Sequence, residues 1–518
     1  MAMNLNFREK TSLNLITNML RTLAMVLIGI FLVPFYVDSL GIASYAIIPL
    51  ATTLATYIQF VSDCIAYASI RYTALAFNNE DSTEANKTMS TSFFGLGKFC
   101  LISVPIGLLL AYASPLVFDI SGSTGLEVQL LFGMIIMSSL IVTMSTPFNG
   151  VFYASNNLYL LYFAKFAYTI SQIVTILLLF WIGEPSLSAI GVGYLVSSVI
   201  IFVLLYALAK YTEKSMVISK KLYDPALFRK IGTLGFWSIL SKISGMLYIQ
   251  LSMILVNLYL GTEDQGGFAM ISTIISMVHT AVFALIDTIE PIIYKCYSEH
   301  RSEDLSHILY TSTKLISIIV AFPMAFLIVF SNEFFGAWVG SDYTYLTTLL
   351  TIGLIGDFAY CVISITNSIP RVYLKIQIPT LVSFILGIIN AVLTVLILSS
   401  PEKNVESAMG VWASVTFIMA IFNSAYNSYL TKVPKYKYGL SITMGYGIML
   451  ILYYPLKLLR EVINLPPMWI PLLATLLILF CVYFVIMYVL LFNKEEKKLV
   501  NNILPEKITK HMAKLTRN

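Results

Sequence analysis

The stretch YIQFVSDCIAYASIRY, residues 57–72, decides how the chain is read. It lies inside a long apolar run, yet it carries Asp63 and Arg71. A charge near the middle of a bilayer costs roughly 2.5–3.5 kcal/mol for Arg or Asp on insertion scales. Such side chains therefore face a partner or a water-filled cavity rather than lipid. On a helix, the spacing puts the two within about a quarter turn of each other and roughly 12 Å apart along the axis. Both fit the wall of one polar cavity. The blander alternative is that Arg71 sits near the helix end and snorkels, anchoring the helix.

The rest of the chain explains why a membrane is the right solvent. Of 518 residues, 58% are hydrophobic and only 11% charged. Soluble domains carry about 25% charged residues. The composition predicts an all-α, polytopic membrane protein. No loop is long enough for an independent soluble domain. About 20 apolar residues cross a bilayer. On that rule there are fourteen spans, at 13–37, 45–77, 92–117, 127–153, 158–182, 187–210, 235–260, 268–297, 308–330, 345–369, 379–398, 408–430, 440–459 and 468–492. The first span is long enough to be retained rather than cleaved as a signal peptide. A polar segment, NNEDSTEANKT (78–88), interrupts between spans two and three. The longest internal polar segment, 211–230, holds Asp224-Pro225, a capping side chain followed by proline. That pair predicts a short interfacial helix.

Cysteines Cys64, Cys100, Cys296, Cys361 and Cys481 form no CxxC pair and fall mostly in apolar spans. They read as small buried apolar residues, with no disulfide framework or metal site. The net charge of +5 sits mainly in one set of loops, so no nucleic-acid partner is inferred. With the N-terminus in the cytoplasm, inward loops collect basic residues and outward loops collect acids such as Asp38, Asp119, Glu184, Glu333 and Glu402. The positive-inside rule then places both termini in the cytoplasm. The polar, basic C-terminal tail reads as a solvated segment that fixes orientation.

An internal echo adds organisation. FYVDSLGIASYAI (35–47) and LVNLYLGTEDQGGFAMI (255–271) each place Leu-Gly at the end of a span and an aromatic-Ala pair in the next. Six spans separate the copies, which predicts a parallel repeat with substrate handled between its halves. The expected division is a first lobe at 1–212, a linker and second lobe at 213–439, two further spans at 440–493, and a tail at 494–518.

At this point the residues resemble a known family, the Wzx-type polysaccharide (O-antigen) flippases of the multidrug/oligosaccharidyl-lipid/polysaccharide (MOP) transporter superfamily. Leu40-Gly41 with Tyr45-Ala46 carries the likeness. So do Asp63 with Arg71-Tyr72, STPFNGVFYASNNLYLLYFAK (145–165), and the series FWSILSKISG, IEPIIYKCYS and FFGAWVG between 236 and 340. Cys64-Ile65 departs from the small residues many relatives have there. The resemblance implies two six-helix lobes plus two helices in the inner membrane. It implies transfer of a polyprenyl-(pyro)phosphate-linked oligosaccharide from the cytoplasmic to the outer leaflet for cell-surface polysaccharide. Membrane lipids and polysaccharide assembly proteins are the implied partners. A peptidoglycan lipid-precursor flippase and a drug/cation antiporter are the alternatives. A membrane-embedded glycosyltransferase or polymerase fits the short outer loops poorly.

Phosphates in a low-dielectric cavity need cations, with Arg as a bidentate fork and Lys as a point charge. The first-ranked candidates are Arg21, Arg71, Lys242 and Lys295, on spans one, two, seven and eight. Lys98 and Lys314 read as interfacial snorkelling residues, and Arg371 and Lys375 as anchors. The candidate coupling or pairing acids are Asp63, Asp287, Glu290 and Asp357, working with H⁺ or Na⁺. Asp287 and Glu290 share a helix face, and Pro291 predicts a kink. His279 is a further protonatable group, although a lone histidine is more often a packing residue. Tyr67, Tyr248 and Tyr360 suit sugar stacking or an interfacial belt. No Walker loop, HExxH or Ser/His/Asp set is present, so the chain reads as a transporter rather than an enzyme.

Overall fold

The computed structural model describes residues 7–78, 81–234, 236–493 and 496–497. No strand occurs among them, and the protein is an all-α polytopic membrane protein. The chain packs as two compact units that divide at Ala269/Met270. The first holds α1 (Phe7–Leu40), α2 (Ile42–Asn78), α3 (Ser82–Val117), α4 (Gly125–Ser145), α5 (Asn149–Ala154), α6 (Leu158–Ile182) and α7 (Leu187–Thr212). It also holds α8 (Pro225–Leu234), α9 (Phe236–Met246), α10 (Ile249–Leu260) and the first turns of α11 (Thr262–Ser298). The second holds the rest of α11, then α12 (Ser302–Val329), α13 (Ser331–Trp338), α14 (Thr347–Ile363), α15 (Ile369–Val372) and α16 (Gln377–Leu398). It ends with α17 (Val405–Thr431), α18 (Lys435–Ile463) and α19 (Trp469–Leu491).

Among the described residues, twelve helical stretches are long and apolar enough to cross a membrane. The remaining two apolar segments, Ile28–Leu40 and Ile42–Tyr57, belong to α1 and α2, which are 34 and 37 residues long. Counting those two helices as spans gives the expected fourteen. The seventh span departs from the expected single helix. It breaks at Leu247-Tyr248 into α9 and α10, just after Gly245, a residue that weakens a helix interior.

The sequence echo has two backbone counterparts. Gly41 joins α1 to α2 at φ +79°, and Gly261 joins α10 to α11 at φ +97°. Each is a one-residue link in the left-handed region, where only a glycine sits without strain. The second correspondence was not expected from the sequence. Helix α4 passes through a 3₁₀ turn, Thr146–Phe148, into α5. Helix α14 passes through a 3₁₀ turn, Ser364–Ser368, into α15. Pro147 and Pro370 each remove a backbone donor at these transitions. The short helices then end on left-handed residues 218 positions apart, Asn156 at φ 53° and Leu374 at φ 55°. Matching backbone bonds close the turns, Asn157 N to Phe152 O at 2.9 Å and Lys375 N to Pro370 O at 2.8 Å.

The polar segment 78–88 does not interrupt as expected. Helix α3 begins at Ser82, capped by Asp81, which accepts from the Glu84 amide at 2.9 Å. The polar residues of its first turns have a tertiary use: they fasten the 213–224 linker. Asn86 donates to Ser215 O and accepts from Val217 N, both at 2.9 Å. Ser90 accepts from Ser219 N at 3.1 Å, and Thr91 accepts from Asp224 N at 3.1 Å. Lys87 pairs with Asp224 at 2.8 Å. That hydrogen bond and the one from the Leu227 amide hold the Asp224 carboxyl below its ordinary value. Asp224 also accepts from Ala226 N at 2.8 Å, so the expected cap of α8 is present. The Phe228 ring of α8 then seats on Gly95 of α3, where any Cβ would lie 2.0 Å from Cε2.

A clasp closes the end of the first unit where both Leu-Gly turns lie. The α3–α4 loop presents Asp119, whose Oδ2 accepts from Thr262 N at 2.8 Å and Thr262 Oγ1 at 3.3 Å. Its Oδ1 accepts from Ser121 Oγ at 2.7 Å and Ser121 N at 3.2 Å. Asn257 holds the Asp119 backbone from both sides, through its N–H at 3.0 Å and its carbonyl at 3.2 Å. The same loop reaches the other turn, where Ser44 Oγ donates to Gly122 O at 3.0 Å.

In the second unit α14 is gripped closely. A Cβ at Gly356 would lie 2.2 Å from Ala413 Cβ of α17. Lys314 of α12 does not snorkel as expected. It is 9% exposed and donates to Glu496 Oε2 at 2.9 Å and to Leu491 O at 2.6 Å. Glu496 is 2% exposed, so this part of the expected solvated tail is docked. Asn493 and Glu496 cap each other reciprocally, Glu496 N to Asn493 Oδ1 at 2.8 Å and Asn493 N to Glu496 Oε2 at 2.9 Å.

Candidate functional site

Asp357 is the most deeply buried acid of the second unit's spans. It sits in the middle of α14 with its side chain fully buried. Helical spacing puts Cys361 one turn on, and its Sγ donates to Asp357 Oδ2 at 3.1 Å. The other oxygen, Oδ1, is 2.9 Å from His279 Nε2 of α11. A carboxylate only accepts, so with Asp357 ionised the imidazole carries its proton on Nε2. The two donors offset the cost of burying the charge. The imidazole is held by aromatic rings, with Tyr360 at 5.5 Å and Phe283 at 5.9 Å between centroids. Tyr446 of α18 stacks edge-on against Phe358 at 4.8 Å and bonds to Ile355 O at 2.7 Å, which fixes this stretch of α14.

This arrangement revises two expectations. His279 is not a lone packing histidine. Cys361 is not inert filler: its sulfur, the His279 nitrogen and an Asp357 oxygen all lie within 4.8 Å of one another. The Asp357/Cys361 spacing was visible in the sequence, but the histidine lies 78 positions away, and only the fold brings it in. Cys100 and Cys296 are buried, as expected, whereas Cys481 is exposed.

The other candidates fall on several helices of the two units. Arg21 is half-buried on α1, with Nη2 3.3 Å from Asn18 Oδ1 and its guanidinium 5.7 Å over the Tyr162 ring of α6. Lys242 is exposed on α9. Lys295 is exposed near the end of α11 and lies 4.0 Å from Glu299. Asp63 and Arg71 fall on α2, and their side chains, with those of Cys64 and Tyr67, lie outside the described residues. Asp287 is exposed, and Glu290 meets Arg371 at 3.4 Å, so Arg371 pairs with an acid rather than acting only as an anchor. Helix α11 is continuous through Glu290-Pro291. Lys98 lies over the Tyr223 ring of the linker at 4.1 Å.

Comparison with known proteins decides the family. Residues 12–297, more than half of the chain, match the family described as polysaccharide biosynthesis protein. The chain belongs to that family. It is similar over nearly its whole length to the uncharacterized membrane protein EpsK of Bacillus subtilis (strain 168). The two are 23% identical over 508 residues, 95% of this chain and 97% of that one. Its fold resembles the lipid II flippase MurJ in an inward closed conformation, with TM-score 0.68 and 14% identity, over 90% of this chain and 98% of that one. It also resembles an inward-facing multidrug resistance MATE family transporter of the MOP superfamily, with TM-score 0.64 and 14% identity, over 80% and 96%. This polysaccharide biosynthesis family member therefore has the expected MOP-type fold.

Proposed function

We propose that the protein is a flippase that moves a polyprenyl-(pyro)phosphate-linked oligosaccharide from the cytoplasmic to the outer leaflet of the plasma membrane. The carrying observation is the polysaccharide biosynthesis family match on a chain folded like a lipid II flippase. The mechanism in this reading is alternating access, with both termini in the cytoplasm. Arg21, Arg71, Lys242 and Lys295 receive the phosphates. Guanidinium and ammonium groups suit that task in a site of low dielectric. The oligosaccharide takes a hydrated path while the polyprenyl tail stays in lipid.

His279 and Asp357 supply the coupling in this reading. Protonation of the pair makes it a neutral or ion-paired unit. Loss of the proton leaves a buried anion that α11 and α14 must accommodate differently. An imidazole N–H aimed at the carboxylate favours H⁺ over Na⁺, because it occupies the oxygen a sodium ion would take.

The test is transport in proteoliposomes containing a fluorescent lipid-linked oligosaccharide. Protein-dependent appearance of the sugar in the opposite leaflet is expected. Failure on this substrate, with flipping of a peptidoglycan lipid precursor instead, would move the assignment to that carrier. Ion-coupled uptake of small organic cations without flipping favours the antiporter reading, which the MATE-like fold supports.

A further inference from the structure

The cluster on α11 and α14 offers one nitrogen, one oxygen and one sulfur from His279, Asp357 and Cys361. We propose that these three residues form a Zn²⁺ site, with a fourth position open to water.

Ligand chemistry selects the ion. Imidazole and thiolate suit Zn²⁺, whereas Mg²⁺ and Ca²⁺ take oxygen ligands. Geometry is close to what zinc needs. Bonds of about 2.0–2.3 Å in a tetrahedron put ligand atoms roughly 3.3–3.7 Å apart. The observed separations of Asp357 from His279 and Cys361 are 2.9 and 3.1 Å, with all three atoms inside 4.8 Å. The ion needs a sub-ångström opening of the two hydrogen bonds and a closing of the remaining His279–Cys361 separation, which is no more than 4.8 Å. Two of the ligands are one turn apart on α14, which Ala413 and Tyr446 hold firmly in place. The His279 side chain is about a quarter exposed, so the open position lies on its side of the cluster.

Charge balance favours the bound state. With a neutral imidazole and thiol the cluster carries one negative charge, on the buried Asp357 carboxylate. Zn²⁺ binds the Cys361 thiolate and the Asp357 carboxylate, and the net charge becomes zero. The thiol proton leaves to solvent, and the imidazole proton moves from Nε2 to Nδ1, so Nε2 can ligate. One proton is released per ion.

Binding is tested without transport, so its outcome is independent of the flippase reading. The full-length protein in nanodiscs is titrated with Co²⁺, a spectroscopic substitute for Zn²⁺, while thiolate-to-cobalt charge-transfer absorption is followed. Expected are saturation at one ion per chain, displacement by Zn²⁺, and loss of the band in Cys361→Ser. His279→Gln weakens binding at least about tenfold. Cys100→Ser and Cys296→Ser keep the band, which separates ligation from general damage at a cysteine. Absence of a saturable band in the wild type, or a band that survives Cys361→Ser, overturns the site.

Discussion

Asp119 and Asp357 are both held carboxylates, but they are held in different ways. Asp119 accepts four hydrogen bonds, all from amides and hydroxyls of Ser121 and Thr262. None of those donors titrates near neutral pH. Burial raises the Asp119 carboxyl, but the hydrogen bonds outweigh it and hold the group below its ordinary value. Asp357 instead accepts from the Cys361 thiol and from His279, whose imidazole is a side chain that ordinarily titrates near neutral pH. The first arrangement fixes one charge state and so makes a structural clasp. The second leaves more than one charge state open, which is what the proposed proton coupling requires. The donors around a held carboxylate separate the loop clasp from the proposed coupling pair.

The largest expected effect is on Asp357. Asp357→Asn keeps the shape but removes the titrating group. Gradient-driven flipping in vesicles should fall to the protein-free level, while the folded fraction by size-exclusion chromatography stays near wild type. Glu496 makes a third case, an acid held by a cation. Loss of one partner from a buried ion pair costs about 3–5 kcal/mol, so Lys314→Ala should lower thermal stability strongly. Replacing both partners, Lys314→Met with Glu496→Leu, should restore much of it.

Breaking the clasp should cost less. Asp119→Ala removes charge-assisted bonds worth about 1.5–3 kcal/mol for each one that water does not replace. The carboxyl's folded value is depressed, so its contribution is complete above the unfolded value of about 3.9 and fades as pH falls through the lower folded one. The stability gap between wild type and Asp119→Asn should therefore shrink below about pH 4 in a denaturation series. The smallest effect is expected at Lys295. Its exposed contact with Glu299 is worth about 0–1 kcal/mol. Lys295→Ala should leave stability unchanged, so any loss of flipping there reports on substrate.

The sequence made legible what is written locally. Fourteen apolar stretches, the Leu40-Gly41 and Leu260-Gly261 echo and the Asp224-Pro225 helix start need only neighbouring residues to be read. It hid what depends on partners far along the chain. Asn86 looked like loop polarity because the backbone it binds lies about 130 positions on. Lys314 looked interfacial because Glu496 is 182 positions away. His279 looked solitary for the same reason. The ranking of Arg21, Arg71, Lys242 and Lys295 rests on span order alone, and hydropathy carries no information about which face of a span a side chain takes.

The most direct measurement is leaflet transfer of a fluorescent polyprenyl-pyrophosphate oligosaccharide in proteoliposomes, with and without an imposed pH gradient. Wild type is set beside His279→Gln and Asp357→Asn. The account predicts that the gradient accelerates transfer by the wild type and has no effect on either variant. Acceleration that persists in both variants, or transfer indifferent to the gradient in the wild type, would contradict proton coupling at the His279–Asp357 pair.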